Sequence, residues 1–432
     1  MVRQRPPFIL KAMGALATFA TPAIKLLLKF RLMRGKEDAY RIGERLGFPV
    51  LSRPAGAFVW CHAASVGEMM SALHLLKALR TQRPDVTIML TTGTVSSARL
   101  AAQKLPEGVF HQFVPVDLPH AVTRFLDHWQ PNLVLWMESE LWPQLVTQIG
   151  DRGIPLVLLN GRISERSAKR WRRYPKLRRA LFSAFTQLYA GSARDAERFA
   201  QLGATHVQWV GNLKYDAPAL AAETSTLSGL SSLFGQRPVW CAASTHAGEE
   251  AIIAEAHQRI AAAVPDVLTI IAPRHPPRGQ EIEKKIESMR LSIARRSLGI
   301  GPSATTAIFL ADTMGELGNL FRLCEVVFMG GSLVPQGGHN LIEPARLNCA
   351  LITGPHMHNF TDIYTDFQNA NAIETVHDVE SLARAVVALL SDHNLRSERV
   401  AAASSVVSTE SGATRTILKS LLQLMQPIEM AA

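Results

Sequence analysis

From residue 55 onward, short apolar runs alternate with longer stretches of helical spacing. The runs Ala57–Cys61, Val86–Thr91, Val109–Val114, Leu133–Met137, Pro155–Leu159, Gln187–Ala190 and Val207–Val210 are rich in Val, Ile, Leu and aromatics. Several are followed by Gly, Ser or Asn and then a helical stretch, the rhythm of parallel βαβ units. A polar stretch near Ala221–Gly235 reads as a linker. The series then restarts with Val239–Ala242, Val267–Ile271, Ala307–Leu310, Val326–Met329, Ala350–Ile352 and Ala372–Thr375. Val59-Trp60-Cys61-His62-Ala63-Ala64-Ser65-Val66-Gly67-Glu68 is echoed by Val239-Trp240-Cys241-Ala242-Ala243-Ser244-Thr245-His246-Ala247-Gly248-Glu249. Both are a strand, a small-residue turn and a Gly-Glu step opening a helix. Two similar doubly wound α/β domains are expected. Ligands of such sheets sit at the carboxyl ends of the strands, here in a cleft between the domains.

Ahead of the strands, Phe8–Phe30 is mostly apolar but carries Lys11, Pro22, Lys25 and Lys29. Arg3 and Arg5 precede it, and Arg31, Arg34 and Lys36 follow. A spanning helix wants roughly 20 apolar residues with few charges, so this stretch is marginal as a span. It lacks the small-residue cleavage site of a signal peptide. Residues 1–36 are therefore expected to be a membrane-anchoring or interfacial helix on anionic lipid, the basic flank placing the rest of the chain in the cytoplasm. Residues 37–220 and 221–432 are expected as the two domains, the last helix packing back on the first. Across 432 residues, 47% hydrophobic and 19% charged content excludes disorder, collagen and coiled coil. The four cysteines form no CxxC pair, which argues against a disulfide framework, a zinc knuckle or a redox dithiol. The net charge of +10 points to an anionic partner.

Candidate chemistry falls in loops after strands. Ser65 and Glu68 have the Ser-x-x-Glu spacing of a capping box, and on spacing alone the cap outweighs a catalytic Glu68. Glu138 and Glu140 close an apolar strand beside Trp136 and Trp142, an expensive placement that calls for a neighbouring cation or a functional role. No Asp-x-Asp metal pair follows a strand nearby. After Val326–Met329 come Gly330-Gly331-Ser332 and then Gly337-Gly338-His339-Asn340-Leu341-Ile342-Glu343. Such glycines free backbone N–H groups for an anion, a following helix adds its positive end, and Glu343 is placed to accept from sugar hydroxyls. Ala272-Pro273-Arg274-His275-Pro276-Pro277-Arg278 holds Arg274 as a phosphate clamp. Asn212-Leu213-Lys214-Tyr215-Asp216 and Asp312-Thr313-Met314-Gly315-Glu316-Leu317 are further post-strand turns. Arg162 to Arg179 carries nine Lys or Arg with almost no acidic counter-charge, an anionic-surface candidate.

In order and spacing, His-Ala-Ala-Ser-Val-Gly-Glu, Met-Glu-Ser-Glu-Leu-Trp-Pro, Asn-Gly-Arg-Ile-Ser, Gly-Asn-Leu-Lys-Tyr-Asp, Ala-Pro-Arg-His-Pro and Gly-Gly-His-Asn-x-x-Glu-Pro resemble the 3-deoxy-D-manno-octulosonic acid (Kdo) transferases of lipid A assembly. The resemblance spans nearly the whole chain. It implies a GT-B glycosyltransferase, two Rossmann-like doubly wound domains facing across a cleft, with an N-terminal membrane-associated helix. It implies inverting transfer of Kdo from CMP-Kdo to a phosphorylated lipid A precursor (lipid IVA), releasing CMP, with no metal and no cofactor. By matched position Glu68 would be the general base, reversing the preference from spacing, and Glu138 and Lys214 would stabilise the transition state. Pro273, Arg274, Met314, Gly315, Glu316, Asn340, Leu341, Ile342 and Glu343 would hold CMP. The implied place is the cytoplasmic side of the inner membrane. Two alternatives stand beside it. One is another GT-B enzyme of nucleotide sugars, a UDP-sugar transferase or epimerase. The other is a non-catalytic basic membrane-surface or nucleic-acid binder, disfavoured because aromatic-interleaved basic motifs are absent, so no nucleic-acid partner is expected.

Overall fold

A computed structural model describes residues 8–138 and 141–429. Arg3, Arg5, Ser139 and Glu140 lie outside the described residues. The chain forms two compact units, residues 1–217 with 410–432, and residues 218–409. The first is built on seven parallel strands: β1 (Phe58–His62), β2 (Thr87–Thr92), β3 (Val109–Phe113), β4 (Leu133–Met137), β5 (Leu156–Gly161), β6 (Gln187–Ala190) and β7 (Val207–Trp209). Their order is β3-β2-β1-β4-β5-β6-β7, so the chain reverses direction across the sheet between β1 and β4. Period-2 alternation sends Phe58 and Trp60 into one apolar cluster and Val59 and Cys61 into another. With helices on both faces, β1, β4 and β5 are buried along their whole length.

The second unit repeats the plan with β8 (Val239–Thr245), β9 (Leu268–Pro273), β10 (Ile293–Arg295), β11 (Ile308–Leu310), β12 (Val326–Met329), β13 (Ala350–Thr353) and β14 (Ile373–Thr375). The order is β10-β11-β9-β8-β12-β13-β14, with the reversal between β8 and β12. β10 is absent from the sequence expectation: it is a three-residue edge strand ending in Arg295, which pairs with Asp312 at 2.6 Å. The stretch expected as a linker is instead a helix, Thr224–Phe234. Leu227, Leu230 and Phe234 share one face of it, and the last two are buried.

The apolar amino-terminal run is two helices, Phe8–Phe19 and Thr21–Met33, rather than one. Pro22 explains the break, since it has no N–H and its ring clashes with the carbonyl four residues back. The pair is bent by 56°, and among the described residues no single helix is long and apolar enough to cross a membrane. Charges tie this segment to the sheet. Glu37 bridges Arg31 (2.7 Å) and Arg45 (3.5 Å), and the Glu44 carboxylate accepts the Phe113 N–H at 2.7 Å.

The chain ends on the first unit. Ala413, Ile417, Leu421 and Met425, one apolar stripe of the helix Ala413–Glu429, join the cluster formed by Val59, Leu135 and Tyr189. Gly211 permits the crossing: at φ 93° it avoids left-handed strain, and a Cβ there would lie 2.4 Å from the Glu410 carbonyl oxygen.

Candidate functional site

In the first unit the loops after β1, β4 and β5 carry the charged groups. Ser65 caps the helix Val66–Gln82, its Oγ accepting the Glu68 N–H at 3.3 Å. The Glu68 carboxylate accepts in return from the Ala64 N–H (2.9 Å) and the Ser65 hydroxyl (3.0 Å). The capping geometry expected from spacing is therefore present, and it fixes the carboxylate in the corner following β1. Glu138, which follows β4, has φ 51°, an uncommon value for a residue with a Cβ. Its Oε1 meets Lys214 Nζ at 2.9 Å, and its Oε2 lies 3.9 Å from Arg162. These are the cations that the carboxylate beside two tryptophans called for.

Lys214 is placed by contacts distant in sequence. It lies in a 3-10 turn, Leu213–Asp216, begun by Asn212, whose Oδ1 accepts the Lys214 N–H at 3.0 Å. Asp216 accepts the N–H of Gly412 (2.6 Å) and of Thr414 at the start of the last helix. A carboxylate at a helix amino end satisfies orphan donors and complements the helix dipole. The turn bearing Lys214 is thus locked to a segment about two hundred residues later.

Two buried polar groups beside these residues head motifs quoted above, His62 in His-Ala-Ala-Ser-Val-Gly-Glu and Asn160 in Asn-Gly-Arg-Ile-Ser, but the sequence assigned neither a role. Asn160, ending β5 with φ 53°, is 2% exposed, and neither its amide oxygen nor its nitrogen has a partner among the described residues. The Nδ1 atom of His62 lies 2.9 Å from Thr91 Oγ1, which also accepts from Trp60 Nε1 at 2.8 Å. Burial, with Arg45 adding to it, pushes His62 down to about 3, so it is neutral at physiological pH. By itself the Asn-Gly step reads as a plain turn.

In the second unit, a recess at the carboxyl ends of β8, β9 and β11 is lined by Ser244, Pro273, Arg274, Thr313, Met314, Gly315, Glu316 and Leu317. Five of the expected CMP residues meet there. Arg274 is exposed and makes no ion pair among the described residues, whereas Arg278 is held by Glu250 (2.7 Å) and Glu281 (3.0 Å). Burial raises Glu316, but Arg296 at 2.8 Å and the Thr313 hydroxyl outweigh it and hold the carboxyl below its ordinary value. Asn340 and Glu343 follow β12. The Asn340 side chain donates to Glu343 Oε1 at 3.3 Å and accepts the Ile342 N–H at 3.1 Å. Burial pushes Glu343 up, against Asn340 and Arg274.

The glycine turn after β12 differs from expectation. Its N–H groups are engaged by the chain's own carboxylate: Glu249 accepts from Gly331 (2.7 Å), Ser332 (3.0 Å), Leu333 (3.0 Å) and His246 (2.9 Å). The nest is an anion site, but Glu249 is the anion. The helix that follows is only Ile342–Ala345, too short to lend much dipole. A larger recess, lined by Asp127, Gln130 and Arg152, lies at the amino ends of β4 and β5, away from these groups.

The basic run Arg162–Arg179 forms two short helices, Glu165–Arg172 and Pro175–Phe182. Leu177, Leu181 and Phe182 join the core, while Arg166, Lys169, Arg170, Arg173, Lys176 and Arg179 are exposed. Among the described residues no three His, Cys, Asp or Glu side chains converge to hold a metal ion.

Residues 40–217 match the family model for 3-deoxy-D-manno-octulosonic-acid transferase (kdotransferase). A 3-deoxy-D-manno-octulosonic acid transferase of Haemophilus influenzae is 34% identical over 423 residues, 96% of this chain and 97% of that protein. One of Rickettsia felis is 35% identical over 360 residues, 83% of this chain and 77% of that protein. Among solved structures, UDP-GlcNAc 2-epimerase from Neisseria meningitidis bound to UDP-GlcNAc superposes with a TM-score of 0.57. It covers 85% of this chain and all of that one at 12% identity, so the two share a fold and no more. Fold alone leaves the epimerase alternative open; 34% identity to a Kdo transferase over 96% of the chain closes it. The chain belongs to the 3-deoxy-D-manno-octulosonic acid (Kdo) transferase family and is a glycosyltransferase built on the two-sheet GT-B plan.

Proposed function

We propose that this Kdo transferase takes Kdo from CMP-Kdo and delivers it, with inversion at the anomeric carbon and without a metal ion, to a phosphorylated lipid A precursor such as lipid IVA. The observation that carries the reading is the grouping, at the carboxyl ends of β1 and β4, of Glu68 with the Glu138–Lys214–Arg162 ion cluster. That end of a doubly wound sheet, at its reversal point, is where ligands bind.

Glu68 serves as general base. Attack by a sugar hydroxyl requires removal of its proton, and a carboxylate within hydrogen-bond reach contributes typically 10²–10⁴-fold. A carboxylate presents about four acceptor positions, so capping its own helix and receiving a hydroxyl are compatible tasks. The departing CMP gathers negative charge on its phosphate. Lys214, oriented by Glu138, stabilises that charge as it forms, which is the part of binding that accelerates reaction. Pro273, Arg274, Met314, Gly315 and Glu316 hold the nucleotide in the second unit, with Asn340, Leu341, Ile342 and Glu343 beside it. Arg274 takes the phosphate, its guanidinium being a fork of donors matched to such oxygens. Fixed cations supply the charge that a divalent ion supplies in other transferases.

The acceptor is a lipid, and the amino-terminal helices suit a lipid surface. Leu16, Phe19, Leu26, Leu27 and Met33 are exposed beside Lys25, Lys29 and Arg34. An amphipathic segment of this kind lies in an anionic interface. We place the enzyme on the cytoplasmic face of the inner membrane, with the exposed Arg166–Arg179 cations meeting lipid phosphates.

Purified protein incubated with CMP-Kdo and tetraacylated lipid A precursor, read by mass spectrometry, tests the reading. The expected result is acceptor mass increased by Kdo, together with protection against heat by CMP but not by UDP-sugars. Protection by UDP-sugars alone, with unmodified acceptor, would overturn it.

A further inference from the structure

The second sheet reverses between β8 and β12, and side chains from three loops meet at that point. His246, after β8, and His339, after β12, stack with ring centroids 5.2 Å apart and planes within 10°. Their Nε2 atoms are 3.0 Å apart. His275, after β9, meets His246 edge-on at 5.6 Å. Both stacked rings rest on Gly331, where a Cβ would lie 3.2 Å from each. The nearby carboxylates are engaged: Glu249 by four backbone N–H groups, Glu250 by Arg278 and Thr245, and Glu343 by Asn340. Arg274 has no ion-pair partner among the described residues.

We propose that the His246–His339 pair is the subsite for the carboxylate of the donor sugar acid, with Arg274 shared between it and the nucleotide recess. This rests on the reading that the donor is a cytidylylated sugar acid. Ser244 and Arg274 line the recess, Ser244 stands two residues before His246, and Arg274 is near enough to disfavour the charged form of both rings, so a nucleotide whose phosphate reaches Arg274 directs its sugar at the two rings.

Facing Nε2 atoms at hydrogen-bond distance share one hydrogen: one ring donates and the other accepts. A proton added to the accepting Nε2 makes that ring a cation and sets two N–H groups face to face, which breaks the shared bond. The surroundings press the same way. Burial, Arg274, His246 and His275 push His339 down to about 4. Burial, His275, Arg274 and Arg278 hold His246 below its ordinary value, against Glu250. A docked carboxylate reverses the balance: it accepts an N–H from each Nε2, which one added proton supplies by making one ring a cation while the other stays neutral. A neutral sugar offers the pair only hydroxyls and leaves its internal bond in place. The pair therefore selects an acidic sugar over a neutral one, and its binding takes up a proton that CMP alone does not require.

The test titrates the full chain with CMP and with CMP-Kdo, as wild type, His246→Gln and His339→Gln, at about pH 8 and about pH 6. The expected result is CMP affinity within about twofold throughout, and CMP-Kdo affinity weakened about tenfold or more in each variant, a change of about 1.4 kcal/mol. In wild type, CMP-Kdo binding should tighten on acidification by up to about tenfold per pH unit, and in the variants that gain should vanish. Equal weakening of CMP and CMP-Kdo would assign the rings to the phosphate and overturn the proposal, as would unchanged CMP-Kdo binding. Wild-type protein that binds CMP but prefers no CMP-linked sugar acid over CMP removes the subsite alone. Wild type that binds neither removes the donor reading as well.

Discussion

Each sheet ends its central strand at a turn and then a Gly-Glu step opening a helix, yet the two carboxylates have different lives. Glu68 takes donors from its own turn, Ala64 and Ser65, and keeps 8% of its surface exposed. Glu249 is fully buried and binds four N–H groups, three of them from the loop after β12. The neighbouring strand makes the difference. β12 is followed by Gly330 and Gly331, whose loop turns its donors toward Glu249. β4, in the corresponding place, is followed by Glu138, which turns to Lys214. A local motif supplies a carboxylate at a helix start; the loop after the adjacent strand decides whether it braces that loop or stays with its own turn.

Exchanging the damage between the two carboxylates breaks or sharpens this contrast. Glu68→Ala should lower the transfer rate by about 10²–10⁴-fold while costing about 1 kcal/mol of stability, the value of a helix cap. Initial rates and a thermal melt read both, and CMP affinity should hold. Glu249→Ala should do the reverse, costing about 3–5 kcal/mol because buried donors and their brace are lost together. A melt that leaves Glu249→Ala as stable as wild type would remove the bracing role. Lys214→Ala should lower the rate by about 10²-fold with the fold intact, measured at saturating CMP-Kdo. Asp216→Asn should destabilise by about 1 kcal/mol and slow transfer less than Lys214→Ala, since it loosens the turn without removing the cation. The smallest effect at neutral pH belongs to His62. Its folded value of about 3 lies below the ordinary 6.5, so the unfolded chain binds the extra proton in that window. Stability should fall as pH drops from about 6.5 toward 3, by up to about 1.4 kcal/mol per unit, and His62→Asn should flatten part of that slope in acid-denaturation curves.

The strands were legible because helices cover both faces of each sheet, which turns central strands into unbroken apolar runs such as Leu133–Met137. β10 escaped notice for the opposite reason: at an edge, three residues suffice and Arg295 finds partners in Asp312 and Glu283. The Ser-rich stretch looked like a linker because Leu230 and Phe234 are sparse anchors. The loops carrying Glu68, Glu138 and Arg274 could be named from their strand-end positions. What sequence could not reach was pairing at long range. Glu249 meets Gly331 across more than eighty residues, and Asp216 meets Gly412 across nearly two hundred. The glycines looked open to a ligand until a distant carboxylate was found in their nest.

The clasp between Asp216 and the final helix bears on how the polypeptide matures. Because part of the cover on the first sheet comes from Ala413–Glu429, a ribosome must translate the whole second unit before that layer can close. Until then Val59, Leu135 and Tyr189 lack part of their cover, and the turn bearing Lys214 lacks its anchor. The intervening unit, by contrast, is continuous in the chain and is free to condense as it emerges. Biosynthesis thus delays the first unit's completion until the second is already in hand, and a message cut short before Glu410 yields a protein with the loops bearing Arg274 and Glu316 but without the clasp on the Lys214 turn.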